Sequence, residues 1–297
     1  MESVLEVKGL TKKYKRLTAV NQIDLSIEKG AIYGLLGPNG SGKSTTLGML
    51  LNVINPTAGD YAWFNGKAST HQALKRIGAL IERPNFYAYM SAYKNLELVC
   101  KIKQIDKKHI DDKLKLVGLA DRKHDAFKTY SLGMKQRLAI ASALLNDPEV
   151  LILDEPTNGF DPQGILQIRQ LIKDIAKSGT TVILASHLLD EVEKVCTHVL
   201  ILQKGNVLYN GKVDELIASN GFFELKAKDD ESLRAQLKLH NSFEKMTENE
   251  GMLRVFFKDV IAPDELNYYL MQNDIRLSHL VFKKESLEEQ FIQLTQA

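Results

Sequence analysis

The segment "GPNGSGKST", from Gly37 to Thr45, is the feature that most constrains how this chain folds. It fits the pattern G-x-x-x-x-G-K-[ST], and it lies between an apolar stretch, "AIYGLLG", and a helical pattern, "STTLGMLLNV". Glycines at this spacing let backbone N–H groups turn inward around phosphate oxygens, and the helix N-terminus adds a partial positive charge. The segment therefore predicts a phosphate-binding loop. The alternative, a glycine-rich turn without a ligand, is disfavoured by this strand-to-helix context.

Two side chains of the predicted loop carry specific chemistry. We expect Lys43 to reach the β- and γ-phosphates of a nucleotide and the Ser44 hydroxyl to bind Mg²⁺. The nucleotide-binding residues predicted in this loop are Gly37, Pro38, Asn39, Gly40, Ser41, Gly42, Lys43, Ser44 and Thr45.

Polar side chains follow two later apolar stretches, "VLILDEP" and "TTVILAS". Asp154 and Glu155 come at the end of the first, and His187 follows the second. Ligands of parallel sheets bind beyond the carboxyl ends of the strands, so all three side chains are predicted at one edge. Asp154 suits Mg²⁺, Glu155 suits a base for an attacking water, and His187 suits the γ-phosphate.

Short apolar strands alternate with helical patterns along most of the chain, which predicts a mostly parallel sheet covered on both faces. Three local features stand out. The first 35 residues alternate like strands, and "TAGDYAWFNGK" predicts a hairpin-like piece with Gly59 and Asn65-Gly66 as turn signals. From about Pro84 to Lys128 the pattern becomes helical and rich in lysine, which suggests an inserted helical subdomain.

The pattern changes past about Ile217. Strand patterns such as "FFELKA" and "MLRVFFK" alternate there with helical ones, and no catalytic constellation is evident. We expect a small α+β unit that serves for packing or dimerisation.

Composition excludes several protein classes. A formal net charge of +2 over 297 residues gives no global sign of nucleic-acid binding. The sequence has no run of about 18 apolar residues and no basic, then apolar, N-terminal stretch, so we expect a soluble protein that is not exported. Cys100 and Cys196 are predicted to be free thiols in a reducing cytoplasm.

The stretch "KTYSLGMKQRLAIASALLND" has the spacing of a buried helix. Ser131 is a good residue to cap its N-terminus, and Gly133 leaves backbone that another group can approach closely. This helix start is therefore predicted to bind a ligand.

Together these segments resemble the ATP-binding cassette family, the ATPase subunits of ABC transporters, over nearly all of residues 1–217. "GPNGSGKST" is similar to the family's Walker A, "LILDEP" to Walker B, "YSLGMKQR" to the signature motif, and "NGFDP", with Asp161, to the D-loop. His187 resembles the switch histidine. Tyr14, in "KKYKRLTAV", matches the aromatic residue on which such proteins stack adenine.

The resemblance implies an α/β P-loop NTPase fold that binds ATP and Mg²⁺. The cassette domain would cover residues 1–217, with an antiparallel N-terminal subdomain and a helical subdomain at about 84–146. A C-terminal α+β accessory domain would cover residues 218–297.

The resemblance also implies partners for this chain. In the family two cassettes close head to tail, so that Ser131 and Gly133 would contact the γ-phosphate held by the other copy. The expected partners are a second copy of the chain, or a related cassette, and an integral membrane transporter subunit, with no nucleic acid. The chain would then lie in the cytoplasm, on the inner face of the membrane.

Two departures from the family pattern matter. Leu132 and Met134 replace a glycine and a glutamine of the usual signature, and Glu82 replaces the usual glutamine after "IGALI". Glu82 and "YSLGMKQR" resemble the bacitracin-resistance and lantibiotic-immunity exporters, which often carry a similar C-terminal unit. Glu82 is then expected to add a third carboxylate near Asp154 and Glu155 and to bind Mg²⁺; the alternative is a solvated loop glutamate.

Alternative functions stay open from sequence. The chain resembles the energising subunit of an exporter for an antimicrobial peptide or another amphipathic compound, and an unrelated substrate is one alternative. A soluble cassette ATPase of translation or DNA maintenance is disfavoured because this chain has one Walker A and no heptad array. A regulator without turnover is disfavoured by Glu155. The aromatic stretch "RPNFYAYMSAYKNL" is either a docking groove for the membrane subunit or plain core packing.

Overall fold

A computed structural model describes residues 2–67, 69–81, 85–217, 221–283 and 286–296. Contacts divide the chain into two compact units, Met1–Lys212 and Val213–Ala297. Within the described ranges, no helix has the length and apolar character needed to cross a membrane.

The first unit contains nine of the described strands and seven of the described α-helices. The strands are β1 (Ser3–Tyr14), β2 (Leu17–Glu28), β3 (Ile32–Leu36), β4 (Ala58–Trp63), β5 (Ile77–Leu80), β6 (Val150–Asp154), β7 (Thr181–Ser186), β8 (His198–Gln203) and β9 (Asn206–Lys212). The helices are α1 (Lys43–Leu50), α2 (Thr70–Leu74), α3 (Ala92–Lys103), α4 (Ile110–Leu116), α5 (Leu132–Ala143), α6 (Pro162–Lys177) and α7 (Leu189–Val195).

A six-stranded sheet, in the order β5-β6-β7-β3-β8-β9, forms the centre of this unit. Its first five strands are parallel, and β9 pairs with β8 in the antiparallel sense. Every residue of β3, β6 and β7 is buried, as expected of strands covered on both faces. The predicted parallel sheet is confirmed, and the carboxyl ends of these three strands lie side by side.

A second sheet, of order β2-β1-β4, packs its apolar side chains into the same hydrophobic core as β3 and β6. The hairpin predicted for "TAGDYAWFNGK" is wrong. Residues 58–63 form the single strand β4, which pairs with β1, and Asn65-Gly66 belongs to a 3₁₀ turn after it. Burial of Trp63, whose Nε1 donates to Leu50 O at 3.0 Å, favours pairing with β1 over local folding.

The predicted lysine-rich helical segment consists of α3 and α4, joined by short 3₁₀ turns. Charged residues lie on its exposed faces, and Leu96, Ile110 and Leu114 are fully buried. Cys100 and Cys196 are both free and buried, and burial raises the pKa of each thiol.

The second unit is an α+β structure, as predicted. Its strands are β10 (Phe222–Ala227), β11 (Phe243–Asn249), β12 (Met252–Phe257) and β13 (Leu277–Lys283), and its helices are α8 (Val213–Ile217), α9 (Asp230–Lys238), α10 (Pro263–Gln272) and α11 (Leu287–Gln296). The strands form one antiparallel sheet in the order β11-β12-β10-β13. Strand β11 was not predicted because it is an edge strand of polar sequence, "FEKMTEN", with no buried residue.

One face of this sheet packs Phe223 and Leu225 against the apolar sides of α9 and α10. The other face carries charge. Glu224 is buried there between Lys283 Nζ, at 2.6 Å, and Arg254 Nε, at 3.3 Å. Arg254 also pairs with Glu289 of α11 at 3.1 Å. These bonds hold down the pKa of the Glu224 carboxyl, the one to Lys283 most of all.

Candidate functional site

Residues 37–42 form the loop that connects β3 to α1, as predicted. Gly42 has φ of +111°, and a Cβ there would lie 2.5 Å from the carbonyl oxygen of Ala19, so only glycine fits. Ser41 is buried, and its Oγ has no hydrogen-bond partner among the described residues. A buried hydroxyl without a partner is costly, so this loop is suited to a ligand that supplies one.

Lys43 is the first residue of α1 and is only 6% exposed. Its Nζ donates to the carbonyl oxygen of Gly37 at 2.7 Å and lies 3.5 Å from Glu155 Oε1. Carbonyl oxygens and one carboxylate therefore hold the ammonium group at the phosphate loop. An incoming phosphate offers the same kind of negatively charged acceptor.

Ser44 Oγ donates to Asp154 Oδ2 at 2.8 Å, so the end of β6 contacts the start of α1. A hydroxyl and a carboxylate are hard oxygen ligands of the kind that Mg²⁺ prefers, and Mg²⁺ commonly takes one or two protein ligands beside phosphates and water. Among the described residues, no group of three or more His, Cys, Asp or Glu side chains is placed to hold a metal. The residues present thus fit a metal shared with a bound nucleotide.

Glu155 follows β6 with φ of +47°, a left-handed conformation that is uncommon outside glycine. Its N–H donates to the carbonyl oxygen of Ala185, in β7, at 2.9 Å. Its Oε2 lies 2.7 Å from His187 Nδ1, and Oε1 is the atom that faces Lys43. The structure therefore brings together Lys43, Glu155 and His187, as the shared sheet edge predicts.

A cavity of about 550 Å³ opens over the phosphate loop. Predicted residues in its lining include Tyr14, 44% exposed, and Glu155. Sequence reasoning missed four lining residues, namely Leu17, Thr18, Ala19 and Lys204. The first three belong to β2, and Lys204 comes from the β8–β9 turn, which only contacts between distant segments place here. One such contact is the bond from Gly205 N to Ser41 O, at 3.0 Å.

Ser131, Gly133 and Asp161 line a different cavity, of about 390 Å³, which shares no residue with the first. Ser131 caps α5 by accepting from Met134 N at 3.3 Å, and Asp161 caps α6 by accepting from Gly164 N at 2.8 Å. A Cβ on Gly133 would lie 3.1 Å from the Phe160 ring. The signature helix start and the predicted D-loop are therefore neighbours within one chain.

Three other predicted features remain, namely Glu82, Leu132 and the aromatic stretch. Glu82 lies outside the described residues. Leu132, which departs from the family signature, is the first residue of α5 and is 53% exposed. In the aromatic stretch, Phe86 packs edge-on against Phe127 at 5.2 Å between ring centroids, whereas Tyr87 and Tyr89 are 62% and 84% exposed.

Comparison with known proteins identifies the family of this chain. Residues 20–158 match the ABC transporter family. The chain is 39% identical to the ABC transporter ATP-binding protein YhcH of Bacillus subtilis (strain 168), over 99% of this chain and 97% of that protein. This chain belongs to the ABC transporter ATP-binding proteins. As a family member it is an ATP-hydrolysing subunit of an ABC transporter.

Further relatives and solved structures extend the comparison. The bacitracin transport ATP-binding protein BcrA of Enterococcus faecalis is 36% identical over 99% of this chain and 97% of its own length. The structure of cbiO1 from Clostridium perfringens, part of the ABC transporter complex cbiONQ, superposes with a TM-score of 0.67 at 28% identity, over 80% of this chain and 96% of that one. A dimeric ATP-binding cassette in a post-hydrolysis state, bound to ADP and phosphate, gives 0.62 at 27% identity, over 70% and 98%. The predicted cassette fold is confirmed.

Proposed function

We propose that two copies of this chain close head to tail around ATP and energise a separate membrane subunit that exports an antimicrobial peptide of the bacitracin or lantibiotic type. One observation carries the head-to-tail arrangement. Ser131 and Gly133 line a cavity to which the phosphate loop contributes no residue. A capping hydroxyl and the positive end of a 12-residue helix suit an anion, so a second copy is the natural source of that anion.

On the side of the composite site that carries the phosphate loop, each side chain has a defined task. Lys43 binds the β- and γ-phosphates, and the backbone N–H groups of the phosphate loop surround them. Ser44 and Asp154 hold Mg²⁺, which when bound neutralises charge on the β- and γ-phosphates. Tyr14, beside the loop in the same cavity, stacks on adenine.

Glu155 acts on the attacking water and His187 on the γ-phosphate. The water oxygen bonds to the γ-phosphorus, its proton passes to the Glu155 carboxylate, and the bond to the β-phosphate oxygen breaks, with its electron pair leaving on ADP. His187 donates to the γ-phosphate. These two side chains bond to each other at 2.7 Å, which keeps both at the phosphate loop.

The transported class rests on the named relatives. Bacitracin transport proteins are 36–37% identical over nearly the whole chain, including its C-terminal unit. The lantibiotic transport protein SrtF of Streptococcus pyogenes is 37% identical over 74% of this chain. Exposed Tyr87 and Tyr89 supply amphipathic aromatic surface suited to the membrane subunit, which would hold this chain on the cytoplasmic face of the membrane.

Complementation in trans tests the head-to-tail site. Lys43→Ala removes one half of each composite site and Gly133→Asp removes the other, so we expect each variant alone to lose ATPase activity. A mixed dimer contains one site with both halves intact. Mixing the two purified variants should therefore restore activity, up to about a quarter of the wild-type rate if subunits exchange freely and the intact site turns over normally. Absence of any recovery, in a mixture shown by light scattering to form dimers, would contradict the model.

Glu155→Gln supplies a second measurement. The variant keeps its shape and loses the base, so ATP should accumulate in a closed dimer that light scattering detects at saturating ATP and Mg²⁺. The double variant Lys43→Ala/Glu155→Gln is the matched control and should stay monomeric. For the transported class, expression of the chain with its membrane subunit should raise bacterial resistance to bacitracin or a lantibiotic, and Glu155→Gln should abolish that resistance.

Glu82 contributes a proposal from sequence. A third carboxylate near Asp154 and Glu155 would make the site depend strongly on Mg²⁺, because like charges repel until a cation binds. Glu82→Gln should preserve ATP binding, relax the Mg²⁺ requirement and weaken coupling to the membrane subunit. Superimposable curves of ATPase rate against Mg²⁺ concentration, with and without that subunit, would refute this role.

A further inference from the structure

Glu191, on α7, is a buried carboxylate to which the proposed chemistry gives no task. It is 1% exposed. Glutamate is almost never buried to this extent unless its charge is paired, because removing a carboxylate from water is costly. In the described part of the chain, however, no lysine, arginine or histidine forms an ion pair with it. Two hydroxyl groups bond to it instead, one on each carboxylate oxygen.

The first hydroxyl belongs to the turn that carries Glu155. Thr157, 3% exposed, donates its Oγ1 proton to Glu191 Oε1. Within the same turn, Asn158 N donates to Glu155 O at 3.2 Å and Phe160 N donates to Thr157 O at 3.2 Å. The bond from Asn158 N closes the turn onto the backbone of Glu155, and Thr157, inside this turn, bonds to Glu191.

The second hydroxyl belongs to the strand that carries His187. Ser186 is the last residue of β7 and is fully buried, and its Oγ donates to Glu191 Oε2 at 2.8 Å. The same Oγ accepts from Leu188 N at 3.0 Å, so the hydroxyl holds the backbone on both sides of His187. Neutral hydroxyls cannot cancel the charge of Glu191, but they satisfy its two oxygens with fixed directions.

We infer that Glu191 is a positioning residue that sets the distance between Glu155 and His187. The inference rests on the proposed roles of these two side chains. Thr157 lies two residues after Glu155 and Ser186 directly precedes His187, and Glu191 links the two hydroxyls from a third element, α7. A displacement of about 1 Å between reacting groups costs up to about 100-fold in rate, so a buried link of this kind acts on turnover. Glu191 does not line the cavity over the phosphate loop, so it should leave ATP binding unchanged.

Substitution of Glu191 tests this separation of turnover from binding. Glu191→Met keeps the length and removes both acceptors, and we expect kcat to fall about 30-fold or more. Glu191→Gln keeps one acceptor and should lose only about threefold to tenfold. For both variants the Kd for a fluorescent ATP analogue and the KM for ATP should stay within twofold of wild type. Glu193→Gln, on the same helix, is the matched control and should retain wild-type kcat.

The hydroxyl partners give an independent measurement with small substitutions. Thr157→Val and Ser186→Ala should each lower kcat, and neither should lower it further in the Glu191→Met background, because the acceptor is already gone. Fully additive losses would overturn the inference. So would a folded Glu191→Met with wild-type kcat, or a fall in kcat matched by an equal fall in ATP affinity. If Glu191→Met does not fold, the kcat and the ATP affinity of Thr157→Val are judged by the same criteria and decide whether the inference holds.

The experiments distinguish a failure of the proposed roles of Glu155 and His187 from a failure of the positioning role of Glu191. If Glu155→Gln turned over ATP at the wild-type rate, those roles would be wrong whatever Glu191 does. If Glu155→Gln behaves as expected and the Glu191 variants keep kcat, only the positioning role is wrong.

Discussion

The two units of this chain both cover a sheet with helices, yet they place their polar side chains differently. In the first unit parallel strands β3, β6 and β7 end at one edge, and Lys43, Glu155 and His187 meet there. In the second unit neighbouring strands run in opposite directions, so no edge collects the ends of all strands. Its buried charge lies across the middle of a sheet face, between Glu224 and Lys283.

This difference shows how strand direction decides whether polar residues form a reactive site or a structural bond. At the edge of the parallel sheet Lys43 and Glu155 border a cavity of about 550 Å³, and a ligand can reach them. On the antiparallel face Glu224 is paired with Lys283 and Arg254 of its own sheet, and Arg254 is also paired with Glu289 of α11. We therefore expect activity to depend on the first unit and local stability on the charge pairs of the second.

A matched pair of lysine substitutions gives the largest expected contrast. Lys43→Ala removes the ammonium group from the phosphate loop, so ATP affinity should fall about 100-fold or more and hydrolysis should cease. Lys283→Ala removes an ammonium group of the same chemistry from the second unit and should leave both within twofold. Titration with a fluorescent ATP analogue measures the affinity. Equal losses in the two variants would abolish the distinction between the units.

Gly133→Ala tests the helix start that serves the composite site. The new methyl group would lie 3.1 Å from the Phe160 ring and obstruct the surface that approaches the other copy. We expect kcat to fall about tenfold with unchanged ATP binding by the monomer. Ser142→Ala, near the other end of α5, is the control and should keep wild-type kcat. A Gly133→Ala variant as active as this control would argue against a role for the helix start.

Truncation after Lys212 tests whether the second unit contributes to the chemistry. All residues that line the nucleotide cavity precede this point, so the basal ATPase rate of the shortened chain should stay within about threefold of wild type. Circular dichroism and light scattering check its folding and its ATP-dependent dimerisation. A folded truncation without activity would mean that the second unit completes the dimer.

Glu224→Gln should have the smallest effect, confined to the stability of the second unit. Lys283 and Arg254 hold the pKa of Glu224 below its unfolded value, so the stabilisation is fully present above the unfolded pKa and is lost as pH falls through the folded one. Because Lys283 is half exposed, we expect a difference of only about 1 kcal/mol near pH 7, and it should shrink as the pH is lowered through the folded pKa. Chemical denaturation of wild type and variant at neutral pH and in acid measures this difference. A difference that persists at low pH would exclude the charge pair as its cause.

The local sequence pattern predicts much of the fold and much of the candidate site. Strands buried on both faces, β3, β6 and β7, are apolar throughout, and their alternation with helices predicts the parallel sheet. The sequence does not predict strand β11, because an edge strand needs little apolar sequence. The hairpin predicted at β4 is wrong because the partner of β4, strand β1, lies more than 40 residues earlier. Pairing over such distances leaves no local signal.

By itself the sequence determined the glycine-rich loop between β3 and α1, the capped start of α5 and the carboxylates after β6, because each depends on residue types at short, fixed spacing. Tertiary structure alone decided that Lys204 and Ala19 border the nucleotide cavity and that Glu191 joins the turn after β6 to the end of β7. Thr157 lies 34 residues before Glu191, and Lys204 comes from the β8–β9 turn, far along the chain from the phosphate loop. The type of a side chain therefore predicts that it can form a bond but not which partner it meets.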